Sequence, residues 1–206
     1  MRVGLLSIGI ALLAAIWFGP LPMLARHSFA SHMAMHMGVV AVAAPLLALA
    51  IAGSRLDPLR RQYWLPAPIA ASMIELVVVW GWHAPILHQA ARQNVGALVL
   101  EQGSFLLAGL LLWTSAFGGR AEQRRTAAAA GVAALLFTSM HMTLLGALFA
   151  LANRPLFSHV DTTGIAVLAD QHLGGAIMLT VGGASYLIGG LWLCARMLRV
   201  REAALS

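Results

Sequence analysis

The stretch Ser31-His32-Met33-Ala34-Met35-His36-Met37 is the densest run of metal-ligating side chains in the sequence. His32 and His36 are four residues apart, so on a helix both imidazoles project from one face. That spacing suits two nitrogens holding one metal ion. Met33 and Met37 repeat it on the neighbouring stripe. Imidazole together with thioether is a ligand set that favours copper, Cu(I) in particular, over hard cations. Met140-His141-Met142 offers a second, shorter instance. The plainer alternative for any one of these residues is a methionine filling an irregular core gap or a histidine making an ordinary hydrogen bond. Two such clusters in one chain favour the metal or cofactor reading.

Further ionisable groups lie in apolar surroundings. Glu75 and Glu101 read as partners that orient imidazoles, as direct ligands or as members of a proton relay, with an interhelical hydrogen bond as the bland alternative. Asp170 and His172 are two apart, about 200° around an ideal helix of 3.6 residues per turn, so they do not face the same point. His172 is the better ligand candidate, and Asp170 suits a helix cap or a pair with an Arg. Trp80 and Trp82 precede His83-Ala84-Pro85 as an interfacial aromatic belt would. Pro85 is expected to end that helix. His83 and His88 then stand as ligand candidates or as headgroup-level structure. Cys194 is the single cysteine, which excludes a disulfide framework and any CxxC metal or redox motif.

The elements that must position these groups are transmembrane helices. Of 206 residues, 60% are hydrophobic and 10% charged, with a mean hydropathy of +0.83. A water-exposed globular surface needs about a quarter charged residues. The formal charge of +6 comes from Arg alone, but the Arg residues sit between apolar runs and form no patch with interleaved aromatics, which argues against nucleic acid. Runs of roughly 20 apolar residues are needed to span a bilayer. Six segments qualify or nearly so: about 3–19, 31–52, 67–83, 95–117, 127–151 and 165–195. The connections are short, so the chain reads as one all-α membrane domain over 1–206, a polytopic bundle of about six helices.

Arg placement orients it. With the N-terminus inside, the inner segments hold Arg2, Arg55, Arg60, Arg61, Arg120, Arg124, Arg125, Arg196, Arg199 and Arg201, and the outer ones only Arg26, Arg92 and Arg154. Both termini are then cytoplasmic. The first segment is short, is followed by Pro20 and Pro22, and ends near Ser28-Phe29-Ala30, which resembles a signal-peptidase site. It reads as a retained helix, with a cleaved signal and five helices as the alternative.

With a rise of about 1.5 Å per residue, His32 and His36 lie roughly 3–9 Å below the outer surface, Asp170 and His172 roughly 8–10 Å, Glu101 about 9 Å, Glu75 about 12 Å and His141 about 15 Å. His27, His88 and His159 fall in outer loops, and no histidine falls in an inner one. Gly175, Gly182 and Gly189 recur every seven residues on the last segment, a small-residue stripe for close helix packing.

These motifs resemble the CtaG family of cytochrome c oxidase assembly factors of bacterial inner membranes. SHMAMHMGVVAVAAPLLALA is similar to that family's His-Met-rich second segment, and WGWHAPILHQAA to its tryptophan-histidine-proline element. EQGSFLLAGLLLW resembles the fourth segment, LLGALFAL with Arg154-Pro155-Leu156-Phe157 the fifth, and ADQHLGGAIM the sixth. Order and spacing agree from about residue 28 to 180. The family's fourth segment has His residues flanking its Glu, where this chain has Leu98 and Gln102, so His141 or His172 would have to supply the missing ligands. Single-helix copper chaperones that share the CtaG name use cysteine. Here Cys194 lies toward the inner end of the last helix, away from the His-Met cluster.

The resemblance implies a non-enzymatic role in building a haem–copper terminal oxidase, with oxidase subunits as partners and copper handling as the activity. In that reading His32, His36 and Met33 or Met37 bind Cu(I), helped by His141 or His172, and pass it to an oxidase subunit in the membrane. Three other readings compete. One is a b-type haem protein with His36 and His141 or His172 as axial ligands. Another is a transporter using Glu75 and Glu101, which the nearly all-apolar inner halves of the segments disfavour. The last is a metal-free assembly scaffold. The sequence leaves a homo-oligomer open.

Overall fold

The computed structural model describes residues 2–57, 68–118, 124–157 and 164–202. His159, Arg60, Arg61 and Arg120 lie outside them. The described residues are helical, with no strand among them. In chain order they form α1 (Arg2–Phe18), the short α2 (Leu21–Leu24), α3 (Phe29–Met37), a π-helical turn (Gly38–Ala43) and α4 (Ala44–Ile51). Then follow α5 (Pro68–Trp82), α6 (Pro85–Gln93), α7 (Val95–Phe117) and α8 (Arg124–Ala150). Last come α9 (Gly164–Ile177), a second π turn (Met178–Gly182) and α10 (Gly183–Glu202).

Four spans among the described residues are long and apolar enough to cross a membrane: Phe29–Ile51, Val95–Phe117, Ala128–Ala150 and Ala166–Leu198. Helices α5 and α6, bent by 71° at their break, make a fifth if taken as one span. The α1 helix has 17 residues, about 25 Å at the helical rise, and is the short apolar element expected of the first segment. The all-helical bundle read from the sequence is therefore what the chain forms.

Two proline effects shape the site. Pro45 has no N–H to give to Ala41, four residues back, and its ring would collide with that carbonyl. The helix widens into the π turn just before it, and the freed carbonyls are taken up from neighbouring helices. Ser185 Oγ donates to Ala41 O at 2.5 Å, and Trp113 Nε1 donates to Val40 O at 2.9 Å. The α5 helix ends at Trp82, just before Pro85, as expected, and Pro85 also opens α6 at its first turn, where a missing N–H leaves no bond unmade. The residue before it, Ala84, is extended, as a pre-proline residue tends to be. His83 and Ala84 are thus the corner between α5 and α6, and the expected outer loop carrying His88 and Arg92 is a helix.

The core is continuous through α3, α5, α7, α8 and the last helix. The α3 helix packs on α9, α5 lies between α7 and α8, and α1 packs along α4. The glycine stripe is a packing device at two points. A Cβ on Gly175 would lie 2.5 Å from the Ala150 nitrogen, and one on Gly189 would lie 2.6 Å from the Trp113 ring.

Candidate metal centre

The centre is assembled at the end of the bundle where α3 begins. Ser28 caps α3, its Oγ accepting from Ser31 N at 3.1 Å. Asp170 reaches across from α9 to the same helix end. It accepts from Ser28 Oγ at 2.8 Å, Phe29 N at 2.5 Å and Ala30 N at 3.4 Å. A carboxylate on the unpaired N–H groups of a helix start is favoured by the helix dipole as well. Asp170 is therefore the cap of α3, not of its own helix, and it sets the position from which His32 and His36 project. The Ser28-Phe29-Ala30 stretch is this cap and first turn.

His32 and His36 are both fully buried, with rings 6.3 Å apart. His83, at the α5–α6 corner, faces both: its ring is 5.3 Å from that of His32 and 5.2 Å from that of His36. His83 Nδ1 donates to Val79 O at 2.6 Å. This places the proton on Nδ1 and leaves the Nε2 lone pair free to accept or ligate. Nε2 points at His32 Nε2, 3.4 Å away. His88, from α6, brings a fourth ring, 4.8 Å from that of His32. Neither nitrogen of His36 has a hydrogen-bond partner in the protein; its ring stacks on Phe105 at 4.1 Å. Burying such groups unpaired costs about 1–3 kcal/mol each, so His36 is held at a cost that ordinary core packing does not explain.

Glu101, from α7, closes the cluster. Its Oε2 pairs with the Arg92 guanidinium in a short contact, accepts from Gln102 Nε2 at 3.2 Å, and lies 3.8 Å from His32 Nδ1. Its Oε1 is buried without a partner. His32, His88 and Glu101 can each offer one ligand atom with all three within 4.8 Å of one another. A metal bound to several imidazoles holds its donors about 3.3 Å apart, given metal–nitrogen bonds of about 2.0 Å, so small side-chain rotations close the set. Phe29, Phe105, Phe149 and Phe157 surround the imidazoles and keep the site dry.

The sequence-predicted residues divide by location. His32, His36, His83, His88 and Glu101 come together. Met33 and Met37 are buried but lie about 100° around α3 from the histidines. Met33 Cγ packs where a Cβ on Gly174 would stand, and Met37 Sδ lies beside Gly182, so both side chains face the last span. His172 Nε2 is bonded to Ala152 O at 2.8 Å. His141 is buried on α8 against Phe137, and neither of its nitrogens is hydrogen-bonded. Glu75 sits in a separate polar knot, accepting from Thr138 Oγ1 at 3.2 Å and Tyr186 OH at 3.2 Å. Sequence reasoning missed Arg92 as a site residue. Its signal was present, as one of three Arg residues on the sparsely charged side.

The comparison with protein families decides membership. A family model described as cytochrome c oxidase caa3 assembly factor (Caa3_CtaG) matches residues 1–200. The chain belongs to this family. No curated relative matches it, and no solved structure does. Gln102, where the family resemblance leads one to expect a histidine, serves Glu101 as a donor and accepts from Trp17 Nε1 at 3.4 Å. The assembly-factor family and the apolar helices together make this a membrane protein of the cytochrome c oxidase assembly system.

Proposed function

We propose that the chain carries copper as cargo, taking it up on the imidazoles of His32, His36, His83 and His88 and passing it to a subunit of a haem–copper oxidase. The observation that carries this reading is the convergence of four buried imidazoles from α3, the α5–α6 corner and α6, with both His36 nitrogens unsatisfied and His83 held in the tautomer that exposes Nε2. Imidazole suits copper, and neutral ligands exchange more readily than thiolates, which fits transfer rather than storage. Glu101 would contribute charge only by giving up Arg92. The side chains of Met33 and Met37, turned toward the last span, would serve the exit path rather than the resting site. In this reading the copper end faces the outer side of the inner membrane, as the Arg asymmetry favours, and the role is non-catalytic.

A metal-free scaffold draws support from one observation: Arg92 already neutralises Glu101. A b-type haem with His36 and His172 as axial ligands gains none, because His172 Nε2 is bonded to Ala152 O at 2.8 Å. The test is Cu(I) loading of purified protein followed by elemental analysis. Wild type should hold copper, and His32→Ala/His36→Ala and His83→Ala should lose it. Equal copper in all three would sink the proposal. Loss of the chain should also lower oxidase activity in membranes, with added copper restoring it.

A further inference from the structure

Away from the imidazoles, the surface between α4, α7 and α10 carries an apolar groove of about 600 Å3. Pro45, Leu49, Trp113, Phe117, Ile188 and Trp192 form its sides. Both π turns line its upper end, with Ala41 and Val42 from one and Thr180 and Val181 from the other. A π turn bulges the helix by an extra residue, and such insertions are frequent at functional sites. The walls are fixed by the bonds from Trp113 to Val40 O and from Ser185 to Ala41 O. The groove's own hydroxyls are also tied to backbone: Ser185 to Ala41 O, and Thr180 to Ala176 O at 2.8 Å. What remains for a guest is hydrocarbon surface.

The end remote from the histidines is cationic. The Arg196 guanidinium carbon stands 4.7 Å over the Trp192 ring, one helical turn beyond the groove's last wall. Arg2 approaches Gly53, just past the end of α4, and Arg55 is exposed at the same end. An apolar slot with a basic lip complements an anionic amphiphile. The charge of the lip selects the guest: hydrocarbon walls take an acyl chain, and the guanidinium at their end takes an anionic headgroup.

We propose that this groove is a specific lipid site, seating one acyl chain of an anionic phospholipid with its phosphate on Arg196. The experiment is native mass spectrometry of the full chain equilibrated with equal phosphatidylglycerol and phosphatidylcholine. Wild type should retain one phosphatidylglycerol, at least tenfold over phosphatidylcholine. Arg196→Gln should reduce that preference to near unity, and Arg196→Lys should keep it. Ala184 is exposed, so Ala184→Phe fills the groove without disturbing the core and should abolish retention of both lipids. The proposal is overturned if wild type holds the two lipids equally, or if Ala184→Phe retains phosphatidylglycerol as wild type does. It also fails if a photo-crosslinker at Ile188 captures a protein helix in place of lipid.

Discussion

Removing Arg92 separates a metal centre from a structural ion pair. Its side chain is 7% exposed and that of Glu101 is fully buried. Truncation to Met leaves a buried carboxylate without its counter-ion, a loss of about 3–5 kcal/mol. Removing both charges, as Arg92→Met/Glu101→Met, should recover most of that loss, because a buried pair replaced by apolar groups is often near neutral. A cation on the imidazoles changes the ledger. The Arg92 guanidinium rests on Glu101 Oε2, which lies 3.8 Å from His32 Nδ1, so it stands roughly 6 Å from that imidazole and repels a cation held there. At an effective dielectric of 20, unit charges about 6 Å apart interact by about 3 kcal/mol. Arg92→Met should therefore bind Cu(I) up to about a hundredfold more tightly than wild type, since 1.4 kcal/mol is tenfold. The assay is thermal unfolding in detergent across a Cu(I) titration, with affinity from competition against a Cu(I) chelator. The metal-free variant should melt well below wild type and recover on Cu(I) addition. The reasoning is refuted if the single and double variants melt together, or if Cu(I) restores neither stability nor affinity in Arg92→Met.

Asp170→Ala removes the cap of α3 together with its contact to Ser28, and should lower stability by about 1–2 kcal/mol in a melt, with Asp170→Asn falling in between. Met33→Leu, Met37→Leu and His172→Ala should leave the Cu(I) stoichiometry at the wild-type value by elemental analysis, whereas His83→Ala should not; a stoichiometric loss in the Met variants would move the resting site toward α9. Glu75→Leu leaves Tyr186 and Thr138 without their acceptor and should destabilise by about 1–3 kcal/mol while copper uptake is unchanged. Gly189→Ala presses a methyl group against Trp113 and should cost about 1–3 kcal/mol, read as a lower melting temperature.

The histidine spacing on α3 was legible because four residues on a helix share a face whatever surrounds them. His83 and His88 were ambiguous for the opposite reason. Their meaning depends on the 71° turn between α5 and α6, and a proline can end one helix or begin the next with equal local propriety. Glu75 and Glu101 looked alike in type, depth and apolar setting. One is bound to Tyr186 and Thr138, the other to Arg92 beside the imidazoles, and only the rotation of their helices distinguishes them. Asp170 could be recognised as a cap, but a side chain 140 residues from the helix start it serves leaves no trace in local sequence.

Sequence by itself determined the bilayer as solvent, the helical segments and the crowding of histidine toward one end, because apolar length, helical period and the scarcity of charge are local properties of the chain. Tertiary structure decided which donors meet. It brought His83 and His88 to His32 and His36, turned Met33 and Met37 to the last span, and set Arg92 on Glu101. Those outcomes follow from helix rotation, the α5–α6 corner and the packing of aromatic rings, none of which is encoded within reach of any single residue.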